Sequence, residues 1–315
     1  LERTIAELEE GYGAAAFSSG MAAITAVAGL LSSGDSILLS DDLYGGTYRL
    51  FTAYFSRYGV ICHYADASDS EKFLTKAKLI GCKALFIESP TNPLMKIADI
   101  RAIAKGAKEI GSLLIVDNTL MSPVLQKPIT LGADIVVHSG TKFLSGHNDV
   151  VCGFVISATK ELSDKINWIQ NASGAILGPM DSWLVIRGLK TLGLRIERSQ
   201  SNARIIAENL KKHPHVKEVL YPGSGALLSF RVTKAERIPQ ILSSFGLFSF
   251  AESLGGVESL VTYPWTQTHA DIPEDVRRSV GVTEDLLRVS VGIEDIDDLI
   301  ADLNRAIGAD IGFQI

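Results

Sequence analysis

Short, uninterrupted apolar runs alternate with amphipathic stretches through the first half of the chain. Ser36-Ile-Leu-Leu-Ser40, Val60-Ile-Cys-His-Tyr64, Ala84-Leu-Phe-Ile-Glu88, Leu113-Leu-Ile-Val-Asp117, Asp134-Ile-Val-Val-His138 and Val150–Ser157 read as buried strands. A strand covered on one face alternates apolar and polar residues; these do not. They predict a parallel or mixed sheet sandwiched between helices. Met21–Leu31, Thr47–Tyr58 and Asp99–Gly111 supply helices, and the opening Leu1–Glu10 is amphipathic at helical spacing. The pattern changes near Asp181. One long helical stretch runs through Trp183, Ile186, Leu189, Leu192 and Leu194 towards Leu210. The short apolar segments Leu227–Phe230 and Leu247–Phe250 follow, then a last helix over Asp295–Ile307. His213-Pro-His215 and Tyr221-Pro-Gly-Ser-Gly225 punctuate this region as turns. The pattern predicts a large α/β domain over residues 1–185 and a smaller α+β domain over 186–315, joined by the long helix.

Composition narrows the function. The chain has 315 residues, 46% hydrophobic and 21% charged, the make-up of a folded protein and not of a disordered one. With 30 Lys+Arg against 36 Asp+Glu, the net charge is −6. That balance, with no basic run to offset it locally, argues against a nucleic-acid partner. No apolar run reaches the roughly 20 residues of a membrane helix, and no signal-peptide pattern is visible, so no membrane association is expected. Cys62, Cys82 and Cys152 cannot form a disulfide framework, which fits a cytoplasmic protein. The chain opens without Met, so we expect a segment upstream of Leu1 in the full protein.

Ligands of open α/β sheets bind at the carboxyl ends of the strands. Polar residues gather there. Glu88 is followed by Ser89-Pro-Thr-Asn-Pro93, the fifth run ends in Asp117-Asn118, and the sixth leads into His138-Ser-Gly-Thr-Lys142. Phe17-Ser-Ser-Gly-Met21 opens a helix, and Asp41-Asp-Leu-Tyr-Gly-Gly46 follows the first buried run. Each has an ordinary reading. Ser18-Ser19-Gly20 is either a plain helix cap or an anion site. Asp117 is a capping carboxylate, a metal ligand or a functional acid. Ser139 and Thr141 are turn hydroxyls or ligand donors, and Lys142 a solvated or a reactive amine. Without a GxxxxGK[ST] loop, a nucleotide-hydrolase role for Asp117 is weak, and the histidines suggest no metal site. Together the groups are consistent: a phosphate cradle (Gly20, Met21, Ser139, Thr141), an amine able to form an imine (Lys142), a carboxylate for a protonated ring nitrogen (Asp117) and an aromatic face (Tyr44). Pyridoxal 5'-phosphate asks for that set.

The chain resembles the Cys/Met-metabolism family of pyridoxal-phosphate enzymes over nearly its whole length. The resemblance is carried by Ser18-Ser-Gly-Met-Ala-Ala23, Asp42-Leu-Tyr-Gly-Gly-Thr-Tyr48, Glu88-Ser-Pro-Thr-Asn-Pro93, Val116-Asp-Asn118, His138–His147 and Glu252-Ser-Leu-Gly-Gly-Val-Glu-Ser259, in that order. It implies the aspartate-aminotransferase-like architecture, fold type I, with a smaller C-terminal α+β domain. It also implies that Lys142 bonds the cofactor and shuttles protons, that Tyr44 stacks on the ring and assists acid–base steps, and that Asp117 pairs with the ring nitrogen. Asn92 would bond the ring hydroxyl; Gly20, Met21, Ser139 and Thr141 would hold the phosphate. Arg288 would grip a substrate α-carboxylate with Ser253 in the same pocket; its plainer reading is a surface arginine at a strand start. Relatives bring a Tyr and an Arg from an upstream segment to a neighbouring subunit's phosphate and form tetramers built from such dimers, so the resemblance implies a homotetramer, a dimer of dimers.

The cofactor set does not choose among the family's reactions. Glu252, ahead of Ser253-Leu-Gly-Gly256, resembles the branch performing γ-chemistry. The short Tyr221–Phe230 link and the run from Tyr263 point the same way. The expectation is γ-replacement, in which an O-acylhomoserine and cysteine give cystathionine for methionine biosynthesis. The alternative is β- or γ-cleavage of cystathionine.

Overall fold

The computed structural model describes residues 1–270 and 272–308. They form two units: Leu1–Asn92 with Lys96–Gly193, and Pro93–Met95 with Leu194 onward. The division therefore falls after Gly193, later than the expected boundary at residue 185, and a three-residue segment of the first half belongs to the second unit.

In chain order the first unit contains α1 (Glu2–Glu9), β1 (Gly13–Phe17), α2 (Gly20–Ala28), β2 (Ser36–Ser40), α3 (Gly45–Arg49), β3 (Ile61–Ala65), α4 (Ser70–Ile80) and β4 (Ala84–Glu88). Then come α5 (Ile100–Glu109), β5 (Leu113–Asp117), α6 (Ser122–Leu125), β6 (Ile135–Ser139), β7 (Gly153–Ser157), α7 (Lys160–Ser173) and α8 (Pro179–Leu189). The seven strands lie in the order β1-β7-β6-β5-β4-β2-β3. From β6 to β3 the neighbours are parallel, while β7 is antiparallel to both β6 and β1. The sheet is thus mixed, and β1 runs in the same direction as the parallel set. The uninterrupted apolar runs have their physical reason here: every residue of β4 and β7 is buried. Phe17, Phe51 and Phe86 are fully enclosed, each burial stabilising by about 2 kcal/mol. Ser19, Asp69, Asp99 and Thr159 cap the helices they precede, each accepting a first-turn N–H. Such a cap contributes about 1 kcal/mol.

Some elements differ from expectation. The helix expected over Thr47–Tyr58 changes pitch, with α3 passing into a π-turn over Leu50–Tyr54 and a 3₁₀ turn over Phe55–Tyr58. The hydroxyls of Thr52 and Ser56 donate to the carbonyls of Tyr48 and Thr52, competing with the regular ladder. The long helix expected from Asp181 to Leu210 is two helices. After α8, Lys190 and Thr191 bond back three residues, and the Thr191 hydroxyl donates to the Gly188 carbonyl. β7 begins only at Gly153, because the backbone of Cys152 is taken by Thr141. β1 was not anticipated at all: Gly-Ala-Ala-Ala-Phe has no β-branched residue, and its strand conformation comes from pairing with β7.

The second unit holds α9 (Leu192–Leu210), β8 (Val216–Leu220), β9 (Leu227–Val232), α10 (Ile238–Ser244), β10 (Ser249–Phe250), β11 (Leu260–Thr262), α11 (Glu274–Val280), β12 (Leu286–Ser290) and α12 (Ile296–Gly308). Its sheet has the order β10-β11-β12-β9-β8. Ile206 and Leu210 of α9, with Leu299 and Leu303 of α12, share one core with Phe230 and Val289. β12 is central and wholly buried. No helix among the described residues is long and apolar enough to cross a membrane.

Gly153 sets how closely α2 approaches the sheet, since a Cβ there would lie 2.2 Å from the Ser19 carbonyl oxygen and 2.7 Å from Gly20 Cα. Gly153→Ala should destabilise the protein by about 3 kcal/mol, read as a lower urea midpoint. An unchanged midpoint would contradict the close packing.

Candidate active site

All five parallel strands and β1 end at one edge of the large sheet, and the residues that follow them meet there. Ser19 caps α2, its Oγ accepting from Ala22 N at 3.0 Å. The N–H groups of Gly20 and Met21 lie in the first turn, where a helix supplies no carbonyl for them, and the helix dipole adds positive potential. Gly20 lies directly against the end of β6, and a Cβ on it would sit 2.9 Å from Ser139 Cβ. Only glycine allows that approach, which places a helix start and a hydroxyl side by side.

Ser139 connects onward to Asp117. Its N–H donates to Thr119 Oγ1 at 2.8 Å, and Thr119 donates its hydroxyl (2.6 Å) and its own N–H (3.0 Å) to Asp117 Oδ1. Both bonds fall on one carboxylate oxygen. Burial holds the Asp117 carboxyl above the ordinary range, while the Thr119 bonds and the His138 ring pull it back down. Thr119 was not singled out from the sequence; an Asp followed two residues later by Thr is the available signal, a side chain turning onto its own backbone.

Lys142 lies half-buried one turn beyond, its N–H donating to the Ser139 carbonyl at 3.1 Å. Thr141 Oγ1 donates to the Cys152 carbonyl at 3.2 Å and accepts from Cys152 N at 3.0 Å. Its hydroxyl therefore fastens the lysine turn to the strand leading into β7. Tyr44 is 41% exposed. Its ring lies over Gly46, where a Cβ would meet Tyr44 Cε1 at 2.4 Å and Met21 Sδ at 3.0 Å. Its N–H donates to Glu88 Oε2 at 2.9 Å. Glu88, paired in register with Asp117, thus ties the tyrosine loop to the strand end; the sequence reading gave it no role. Asn92 is buried four residues further along the same loop. The structure therefore joins Tyr44, Met21, Gly20, Ser139, Asp117 and Lys142 through direct contacts or a single intervening residue.

In the second unit Arg288 is 1% exposed, so it is no surface arginine. Its Nη2 donates to the carbonyls of Glu252 and Ser253, both at 2.9 Å, and to Thr262 Oγ1 at 2.8 Å. Central β12 and its neighbour β11 supply the arginine and Thr262, which the sequence reading also passed over. Glu252 is exposed and Ser253 half-buried. No cluster of metal-ligating side chains occurs among the described residues.

The first unit's donors fit pyridoxal phosphate. The glycine-opened helix start beside Ser139 suits a phosphate, Lys142 supplies the amine, and a carboxyl stripped of water is suited to a cationic ring N–H.

Comparison with known proteins agrees. The family model described as Cys/Met metabolism PLP-dependent enzyme matches residues 1–308. The chain is 52% identical over 307 residues to the cystathionine gamma-synthase/O-acetylhomoserine (thiol)-lyase of Bacillus subtilis, covering 98% of the chain and 82% of that protein. It is 49% identical over 323 residues to the cystathionine gamma-lyase of the same organism, covering 98% and 85%. The crystal structure of a cystathionine gamma-synthase from Xanthomonas oryzae, in complex with aminoacrylate and cysteine, superimposes with a TM-score of 0.95 at 39% identity, covering 98% of this chain and 84% of that one.

Replacing Asp117 by Asn separates cofactor binding from stability. Because the folded carboxyl holds its proton to higher pH than the unfolded one, apo-protein stability falls as pH rises from the ordinary carboxylate range towards the raised value. Asp117→Asn should remove that slope and raise the urea midpoint of the apo-protein at neutral pH. It should also weaken cofactor binding about 100-fold, the ~3 kcal/mol of breaking a buried ion pair.

Proposed function

We propose γ-replacement for this chain, which belongs to the Cys/Met metabolism family of pyridoxal-phosphate-dependent enzymes. An O-acylhomoserine and L-cysteine give L-cystathionine, a step of transsulfuration and methionine biosynthesis. Bound at the large-sheet edge, the cofactor supplies an electron-withdrawing ring that stabilises negative charge at the substrate α-carbon. Asp117 would keep the proton on the ring nitrogen, Asn92 would bond the ring hydroxyl, and Gly20, Met21, Ser139 and Thr141 would hold the phosphate. The Lys142 amine takes the proton from Cα and then from Cβ, with Tyr44 assisting. The acyl group leaves Cγ as a carboxylate. Cysteine sulfur gives its thiol proton to the acid–base pair as it forms the new bond to Cγ; the pair then returns one proton to Cβ and one to Cα, and the remaining proton leaves with the carboxylate. Arg288 grips the α-carboxylate; a guanidinium suits that planar group.

The observation that carries the synthase reading is the hold of Arg288 on the main chain of Glu252 and Ser253. It fixes the main chain of Glu252, whose exposed carboxylate is then free to attract the ammonium of a second amino acid while the arginine receives the first. Cleavage of cystathionine is the second reading, favoured by the 49% identity to a γ-lyase. Assembly as a dimer of dimers is supported by the apolar face of α8, where Met180 and Trp183 are 61% and 52% exposed. A cytoplasmic setting is supported by free Cys62, Cys82 and Cys152.

Purified enzyme given O-acetylhomoserine plus cysteine should form cystathionine, and cystathionine alone should persist. Pyruvate with homocysteine from cystathionine would instead identify β-cleavage, and cysteine with 2-oxobutanoate γ-cleavage. Arg288→Lys should raise KM for the amino-acid substrate about 30-fold, the ~2 kcal/mol of a charge-assisted hydrogen bond. A KM within twofold of the parent would remove Arg288 from carboxylate binding.

A further inference from the structure

Successive strand residues face opposite sides of a sheet. Asp117 is followed by Asn118, Ser139 is preceded by His138, and the loop bearing Asn92 starts at Ser89. These three neighbours of the cofactor donors are joined by one buried polar network, and Glu9 of α1 is at its centre. Glu9 is 0% exposed, Asn118 0% and His138 1%. Glu9 Oε1 accepts from Asn118 Nδ2 at 2.7 Å and hydrogen-bonds His138 Nε2 at 2.6 Å. Gln126 Nε2 donates to Asn118 Oδ1 and to the Ser89 carbonyl, both at 2.9 Å. Asn118 Nδ2 also reaches the Gln126 carbonyl at 2.8 Å. The other carboxylate oxygen, Glu9 Oε2, has no hydrogen-bond partner among the described residues.

A buried carboxylate with an orphan oxygen is a costly way to join segments that apolar side chains would hold with less penalty. What apolar contacts do not provide is direction. Packed methyl groups let strand ends slide by fractions of an ångström, whereas bonds of 2.6–2.9 Å converging on one oxygen and one amide fix their relative positions. The segments held this way are those bearing Asp117, Ser139 and Asn92. We propose that Glu9 and His138 are positioning residues for the cofactor: acting through Asn118 and Gln126 from the far side of the sheet edge, they hold the ring-nitrogen carboxylate, the phosphate hydroxyl and the Asn92 loop in mutual register. The proposal depends on the pyridoxal-phosphate site and not on which family reaction follows.

The test needs no amino-acid substrate. Apo-protein of Glu9→Gln and of His138→Asn is titrated with pyridoxal phosphate. Binding is read by absorbance, apo stability by urea unfolding, and the lysine-linked cofactor's visible band is followed against pH. The expected result is a 10- to 100-fold loss of cofactor affinity, the range seen when groups behind a ligand shell are removed. The band's midpoint should also rise. A less firmly held ring proton makes the ring withdraw fewer electrons, so the linked lysine nitrogen keeps its proton to higher pH. Gln126→Met, at the half-buried end of the network, cuts the side-chain links to Ser89 and to Asn118 Oδ1 and leaves the bonds of Glu9 to Asn118 and His138 in place. It should show a smaller loss in the same direction, and it serves as the readout where the central variants do not fold. Parent-like affinity and midpoint in any folded variant, with only urea stability reduced, would overturn the proposal and leave the network a structural brace.

Discussion

The organising constraint is a carboxyl group, Asp117, taken out of water at the end of a strand that is itself buried on both faces. Parallel strands covered by helices leave no solvent to satisfy polar groups at their ends, so each must find a partner within the protein. At this edge they find them on both sides. Thr119 binds Asp117 and Ser139 on the cofactor side, and Glu9 binds His138 and Asn118 behind it. The carboxyl is held above its ordinary range by burial in the protein alone. On the proposed pairing, a cationic ring nitrogen would relieve that cost, so the apo-protein would keep a destabilised group whose relief adds to cofactor affinity. Stability and function share one residue with opposite preferences.

Gly20 and Gly153 are the steric counterpart. A positively polarised helix start is useful to a phosphate only where it meets the other donors, and it meets them because two glycines remove the Cβ atoms that would keep α2 away from β6 and β7. Thr141 serves the same end by fastening the lysine turn to the strand before β7. The site is therefore assembled by close backbone approach as much as by side-chain chemistry.

What could be read from the chain follows from the range of the forces involved. β2, β4 and β5 were legible residue for residue, since a run buried on both faces shows in sequence as an unbroken apolar word. The strand ends with their candidate residues were legible because polar side chains follow each word directly. β1 was not, because five small residues become a strand only through pairing with Gly153–Ser157, far along the chain. The break between α8 and α9 depends on a local competition for one carbonyl that hydrophobic spacing does not register. Thr119 was missed although it lies two residues from Asp117, and Glu9 because its partner His138 is 129 positions away. Periodicity and local motifs carry no information on pairs so distant.

The second unit shows how an exposed residue can be freed from structural duty. Arg288 is buried on the central strand of its sheet, and its Nη2 is met by Thr262 Oγ1 and by two main-chain carbonyls. The arginine therefore fixes the path of residues 252 and 253 without using the Glu252 side chain. That carboxylate remains exposed and can be exchanged with little consequence for the fold. γ-Synthesis and C–S cleavage begin with the same proton removal at Cα and differ in what joins or leaves further along the substrate. On the proposed reading of Glu252, a scaffold that anchors the backbone through one side chain and leaves its neighbour free would move between those outcomes by surface substitution. Relatives about as similar to this chain as one another, a γ-synthase at 52% and a γ-lyase at 49%, are what such an arrangement leads one to expect.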